Sequence, residues 1–275
     1  MMSESESLAS FLVRTESLTV LSGAGVSTAS GIPDYRDRNG DWKNAQPIQY
    51  VDFVTSLEVR QRYWARSYAG WQRIAEALPN GAHRALARLE ASGRIDTLIT
   101  QNVDGLHRIA GSRQVIDLHG NLESVRCLSC NASTTRRAWQ DRLATLNPDW
   151  QIRVSSFAAD GDAELIMGDD AEFTVPECRE CGGIVKPDVV FFGEAVPKER
   201  VHEATEAVNR AKGLLIVGSS LMVYSGFRFA RQADKQRKPI AIVNRGRTRA
   251  DEFAALKLDA DCEAILIRTV ELLDA

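Results

Sequence analysis

Six short apolar runs punctuate the chain: Leu18–Leu21, Ile95–Ile99, Val115–Leu118, Val189–Phe192, Leu214–Val217 and Ile240–Val243. Each stops at a small or polar loop. Most lack the in–out alternation of a half-exposed strand and read instead as strands covered on both faces by helices. Helical patterns stand between them, at Ala82–Ala91 after Asn80-Gly81, at Lys198–Ala211 and at Ala264–Leu273. Strands alternating with helices predict an α/β fold with a doubly wound, mostly parallel, Rossmann-like sheet.

The segment from Cys127 to Cys181 breaks this rhythm. Its central stretch, 131–177, holds four Arg and nine Asp/Glu, which concentrates negative charge in a chain of 34 basic and 37 acidic residues. We expect a small module over 123–185, set into a Rossmann-like domain of 1–122 and 186–275 with a helical insertion near 40–80. A net charge of −3 is no footprint for a polyanion, so nucleic-acid coating is disfavoured. The longest apolar runs fall far short of the ~18–20 residues of a membrane span. The opening MMSESESLASFLVR has no basic or apolar signal region and is expected to be a short frayed tail. Five cysteines, an odd number, argue against a disulfide framework and for a cytoplasmic setting.

Five groups of residues carry chemistry. Gly23-Ala24-Gly25 follows the first run and is what a phosphate cradle requires, with backbone approaching an anion and a following helix offering N–H groups. Thr28 stands at the third glycine position, and a tight turn is the plain alternative. Cys127-x-x-Cys130 and Cys178-x-x-Cys181 match a zinc ribbon, with redox pairs or buried thiols as alternatives, although the 47 intervening residues exceed the usual spacing. Gln101, Asn102 and Asp104 sit at a strand end, able to face a ribose or carboxamide or merely to cap the next helix. His119 ends another strand beside the insertion and is the candidate general base, ahead of His83, His107 and His202. The loops Gly218-Ser219-Ser220 and Asn244-Arg245-Gly246 complete the set of strand ends.

The order of these motifs resembles the sirtuin family of NAD-dependent protein deacylases. It runs Gly-Ala-Gly-x-Ser (23–27), Gly-Ile-Pro-Asp-Tyr-Arg (31–36), Thr-Gln-Asn-Val-Asp (100–104), Leu-His-Gly (118–120), two CxxC pairs, Lys-Pro-Asp-Val-Val-Phe-Phe-Gly-Glu (186–194), Gly-Ser-Ser-Leu (218–221) and Val-Asn (243–244). The resemblance spans about Leu18 to Ala275. The spellings Gly-Ala-Gly-Val-Ser-Thr-Ala-Ser-Gly-Ile-Pro-Asp-Tyr-Arg and Gly-Ser-Ser-Leu-Met-Val-Tyr-Ser-Gly most resemble its class II branch.

The resemblance implies roles. Gly23, Ala24, Gly25, Ser27, Asp34, Tyr35 and Arg36 would cover the ADP and nicotinamide ends of NAD, with Gln101, Asn102 and Asp104 facing the ribose and nicotinamide pocket. Gly218, Ser219, Ser220, Asn244, Arg245, Gly246 and Cys262 would hold the adenosine half, Cys262 chiefly through its backbone. A strand of Val190, Phe191, Phe192, Gly193 and Glu194, with the loop Leu221–Val223, would clamp an extended acyl-lysine peptide by β-augmentation. Family members often carry Phe where Tyr35 stands, so the channel wall is more polar here. The acyl oxygen would attack the ribose anomeric carbon as nicotinamide leaves. His119, with Asn102 as the second catalytic residue, would then deprotonate a ribose hydroxyl that attacks the acyl carbon. Lysine, nicotinamide and acyl-ADP-ribose would result. One structural zinc per chain would sit on Cys127, Cys130, Cys178 and Cys181.

Tyr63 and Arg66, three apart on a predicted helix, resemble the pair that reads a distal carboxylate in sirtuins removing acidic acyl groups. The alternative is that Arg66 pairs with a nearby acid while Tyr63 and Trp64 pack in the core. Two rival functions stand beside deacylation: ADP-ribosyl transfer to a protein side chain on the same scaffold, and a zinc-ribbon binding module without catalysis.

Overall fold

The N-terminal residues are not a frayed tail. The computed structural model describes residues 2–43, 47–150, 154–157, 163–165 and 173–274, and it opens with helix α1 (Glu4–Thr15). Ser3 caps this helix: its hydroxyl accepts the Glu6 N–H while the Glu6 carboxylate accepts the Ser3 N–H. The capping box satisfies two donors that would otherwise be orphaned. Leu8, Phe11 and Leu12 are buried, on one face at helical spacing.

Strand β1 (Leu18–Ser22) runs into two 3₁₀ turns, Ala24–Val26 and Thr28–Ser30. Helices α2 (Tyr50–Thr55) and α3 (Leu57–Glu76) form the helical insertion. Helix α4 (Gly81–Ala91), β2 (Ile95–Thr100), the single turn α5 (Leu106–Ile109) and β3 (Val115–Asp117) complete the first half. The interrupting module holds β4 (Gly120–Cys127), β5 (Ser133–Thr135), α6 (Arg136–Leu146), β6 (Val154–Phe157), β7 (Ala163–Leu165) and β8 (Val185–Val189). The second half is α7 (Lys198–Arg210), β9 (Gly213–Val217), α8 (Tyr224–Lys235), β10 (Ile240–Val243), β11 (Leu256–Leu258) and α9 (Cys262–Asp274).

The large sheet has the order β11-β10-β9-β1-β2-β3 with every pairing parallel. Winding reverses between β1 and β9, and a doubly wound sheet offers its ligand crevice at the carboxyl ends of the strands at such a point. One face packs apolar residues of α1, α4 and α9 against the strands, the other those of α7 and α8. Five of the predicted runs are strands of this sheet, but Val189–Phe192 is not. Val189 ends β8, which pairs antiparallel with β4, and the chain then turns out as a loop. The sixth place belongs to β11, a three-residue edge strand with a central lysine, too short and too polar to read as a buried run.

In the module, β5, β4 and β8 form an antiparallel sheet. Its apolar side shares one core with the helical insertion: Phe53, Tyr63 and Trp64 meet Trp139, Phe173 and Val185. Arg136 is buried at the seam. Its guanidinium donates to the Ser67 carbonyl at 3.0 Å and stacks 4.8 Å from the Trp71 ring centroid, so its charge is not stranded in apolar surroundings. Most of the acidic run Asp160–Asp170 lies outside the described residues.

Candidate active site

The β1 and β9 loops meet backbone to backbone. Gly23 N–H donates to the Val217 carbonyl at 3.1 Å and Gly25 N–H to the Gly218 carbonyl at 2.9 Å. A Cβ on Gly25 would lie 2.9 Å from the Gly218 oxygen, closer than non-bonded atoms allow. These glycines therefore serve loop contact first, and their N–H groups are already used. The helix expected after the cradle is instead the two 3₁₀ turns, whose N–H groups close back on the loop. Asn80 anchors it: its side chain caps α4 through Ala82 N–H and donates to the Val26 carbonyl at 2.7 Å.

The Gln101–Asp104 segment closes the next part of the wall. Gln101 Nε2 donates to Ser219 Oγ at 2.8 Å, and Asn102 Nδ2 to Ser27 Oγ at 3.0 Å. The Ser27 hydroxyl passes its own hydrogen to Asp104 Oδ2 at 2.7 Å. Asp104 also accepts the Leu106 N–H at 2.9 Å, so it caps α5 and belongs to the network at once. Burial pushes its carboxyl above the usual range. Beneath this network lie His83 and His107, with ring centroids 4.8 Å apart. Both are buried, and burial pushes His83 down to about 4 and His107 well below its ordinary value. His107 Nε2 contacts Ser22 Oγ at 2.8 Å. His202 lies on the cavity wall.

His119 follows β3. Its Nδ1 is 2.9 Å from the Gln101 carbonyl oxygen and its Nε2 is 2.8 Å from Ser225 Oγ. Burial pushes its pKa down to about 4, with the Arg200 guanidinium adding to the shift against the Gln101 hydrogen bond. The ring is neutral at pH 7, the state a general base requires.

The 190–194 loop is pinned on both sides. Val190 N–H donates to the His119 carbonyl at 2.7 Å, and Tyr50 N–H donates to the Phe192 carbonyl at 2.8 Å. Glu194 folds back to accept the Phe191 N–H at 2.8 Å and to pair with buried Lys186 at 3.1 Å. Opposite it, Leu221 has φ 56, a left-handed conformation that costs a non-glycine residue about 1–2 kcal/mol and that recurs at ligand clamps. Tyr35, Trp42 and Phe192 form an edge-to-face cluster, and Tyr63 lies 5.0 Å from Phe191.

These loops enclose one cavity of 1320 Å³, larger than the ~300–1,000 Å³ of an ordinary small-molecule pocket. Gly23, Ala24, Gly25, Ser27, Asp34, Tyr35, Arg36, Gln101, Asn102, Asp104 and His119 line it, as do Val190–Glu194, Gly218–Ser220, Asn244, Arg245, Tyr63 and Arg66. Gly246 and Cys262 do not. Gly246 packs on the Arg38 backbone, and the Cys262 thiol donates to the Val243 carbonyl, with burial raising its pKa to about 12. Trp42 and Ser225 line the cavity without having been singled out. Neither carries a spacing signal: Trp42 lies in a loop before α2, and Ser225 inside a run read for its glycine and serines.

The four paired cysteines come together away from this cavity, with their sulfurs within 4.8 Å of one another. Cys127 and Cys181 sulfurs are 3.5 Å apart, and those of Cys130 and Cys178 3.7 Å. Thiolates at ~2.3 Å around one tetrahedral ion stand roughly 3.8 Å from each other, so the cluster is of a size to hold a metal ion.

Comparison with known proteins agrees with this geometry. The Sir2 family model matches residues 23–225. An NAD-dependent protein deacetylase 2 of Bradyrhizobium diazoefficiens is 55% identical over 95% of this chain and 96% of its own length. A mitochondrial NAD-dependent protein lipoamidase sirtuin-4 of Bos taurus is 46% identical over 93% of this chain and 82% of its own. A solved Sir2–p53 peptide–NAD+ complex is 32% identical, with a TM-score of 0.80 over 98% of both chains. With the Gly23–Gly25 loop, the Gln101–Asp104 network, His119 and the cysteine cluster all inside or beside the matched span, the chain belongs to the Sir2 family.

Proposed function

We infer that this chain is an NAD-dependent protein lysine deacylase, moving the acyl group of a modified lysine to ADP-ribose and releasing nicotinamide. The observation that carries the reading is His119: a half-buried, neutral imidazole held at the point where the dinucleotide loops and the 190–194 edge enter one cavity. The family membership and the solved relative with NAD+ and a peptide support it.

Each part of the wall then has a task. The Gly23–Arg36 segment, the Ser219 and Ser220 hydroxyls, Asn244 and Arg245 hold the dinucleotide across the β1–β9 reversal. Cys262 and Gly246 support that half from behind rather than touching the ligand. Asn102 and Asp104, bridged by Ser27, and Gln101, tied to Ser219 of the β9 loop, fix the nicotinamide end. Val190–Glu194 and Leu221–Val223 offer edges to an extended peptide, and the aromatic cluster excludes water from the anomeric centre. His119 Nε2 takes the proton of a ribose hydroxyl, which attacks the acyl carbon.

The cysteine cluster is a structural zinc site in this reading: four thiolates suit tetrahedral zinc and leave no open position for catalysis. A cytoplasmic, reducing location suits a chain with five thiols, four of them gathered at one metal. Tyr63 and Arg66 on the cavity wall support a preference for acyl chains ending in a carboxylate, which a guanidinium fork matches. Nicotinamide release from NAD tests the reading: it is expected only when an acyl-lysine peptide is present. Release that ignores the peptide would leave NAD hydrolysis, not deacylation.

A further inference from the structure

Both nitrogens of His119 are engaged in the free protein. The Gln101 carbonyl can only accept, so Nδ1, 2.9 Å away, carries the hydrogen. The lone pair of the neutral ring is therefore on Nε2, and the Ser225 hydroxyl at 2.8 Å donates to it. Ser225 is the second residue of α8, whose N-terminus carries no side-chain capping bond, so its hydroxyl is not spent on the helix. With Nδ1 tied to the backbone, Nε2 is also the nitrogen left to take a proton from a ribose hydroxyl. A protein hydroxyl and a substrate hydroxyl thus meet at one atom.

We propose that Ser225 is a positioning residue for His119 in the acyl-transfer step, a proposal that rests on the deacylase reading. In the free protein its hydroxyl donates to Nε2 and fixes the imidazole plane at the cavity wall. When the ribose hydroxyl arrives, Ser225 yields the lone pair. The proton passes from the ribose oxygen to Nε2, and the Ser225 oxygen then accepts the new N–H. A hydroxyl serves both states because it has one hydrogen and two lone pairs. Without it, the new N–H of the protonated ring would lose that acceptor on a half-buried wall near the Arg200 guanidinium, and a donor held from water without a partner is costly. Nicotinamide departure precedes this proton transfer and does not need Ser225.

Two rates measured on the same proteins test this: peptide-dependent exchange of labelled nicotinamide into NAD, and overall deacylation of an acetyl-lysine peptide. Ser225→Ala is expected to slow deacylation by ~3–10-fold, the worth of one neutral hydrogen bond, while exchange is largely kept. Ser225→Thr, which keeps the hydroxyl, is expected to recover most of the loss. Unchanged deacylation in Ser225→Ala, or an equal fall in exchange and deacylation, overturns the proposal. Imidazole ¹⁵N spectra of the NAD-free protein give a reading that needs no turnover. The His119 Nε2 signal is expected to move downfield in Ser225→Ala, and an unmoved signal overturns the contact. Wild type silent in both rate assays would sink the deacylase reading itself, whereas a defect confined to Ser225→Ala deacylation bears on Ser225 alone.

Discussion

Gly218 lies against Gly25 so closely that neither has room for a side chain: the Gly25 N–H reaches the Gly218 carbonyl at 2.9 Å, and a Cβ on Gly218 would stand 2.5 Å from the Val26 nitrogen. The contact joins the ends of β1 and β9, so the shape of the dinucleotide crevice depends on it.

Gly218→Ala is expected to cost stability and NAD binding together. Gly218 has φ 59, where an alanine costs about 1–2 kcal/mol, and the clash with Val26 adds to that. Denaturant midpoints should fall, and KM for NAD should rise more than KM for peptide. A variant with wild-type midpoint and wild-type KM for NAD would show that the loops do not need this approach.

Acid should weaken the fold through its shielded histidines. Burial holds His83 and His119 down to about 4 and His107 well below its ordinary value, whereas an unfolded histidine takes its proton near pH 6.5. Between about pH 6.5 and 4 the unfolded chain binds more protons, so stability drops as pH falls, by on the order of 3 kcal/mol for the fully buried His83 ring. Asp104 and Asp117, pushed up by burial, act with the opposite sign and reduce the net slope. Urea midpoints measured from pH 7.5 to 4.5 should decline steadily, and a flat or rising series would contradict the buried neutral state.

The sheet was legible because buried parallel strands are continuous apolar runs, and the cavity because its residues sit at their carboxyl ends. Three features were not. Val189–Phe192 is as apolar as a core strand, but its burial comes from the aromatic cluster and from Glu194 folding back, which periodicity cannot distinguish from a sheet. The α1 capping box was present in Ser3 and Glu6 but was masked by the polar composition of the segment. Ser225 carries no local signal, because its contact with His119 spans 106 positions and arises only when α8 is brought over the end of β3.

Arg66→Met should reveal which acyl chain the pocket prefers. Tyr63 does pack in the core, against Phe53 and Phe191, yet it also lines the cavity with Arg66. Succinyl- or glutaryl-lysine should be removed faster than acetyl-lysine by wild type, and Arg66→Met should erase that preference, since a buried hydrogen bond to a charged group is worth about 1.5–3 kcal/mol. Preference for acetyl or lipoyl chains, or equal slowing of all substrates, would assign Arg66 a structural role.

If the cysteine cluster holds zinc as proposed, stripping it should disturb the acyl side of the cavity. Cys127 and Cys178 belong to the same core as Phe53, Tyr63 and Trp64, and unpaired thiolates at two knuckles repel without a cation. One zinc per chain is expected by elemental analysis, with chelation lowering the melting temperature and activity in parallel. Full stability of a quadruple Cys→Ser variant would show that the module stands without metal.

The most direct test of the account is mass spectrometry of the products formed from NAD and an acyl-lysine peptide. Wild type is predicted to give deacylated peptide, nicotinamide and acyl-ADP-ribose in equal amounts, and His119→Ala to lose ~10²–10⁴-fold in acyl-ADP-ribose while still exchanging nicotinamide. ADP-ribose attached to a protein side chain with the acyl-lysine left intact, or normal deacylation by His119→Ala, would contradict it.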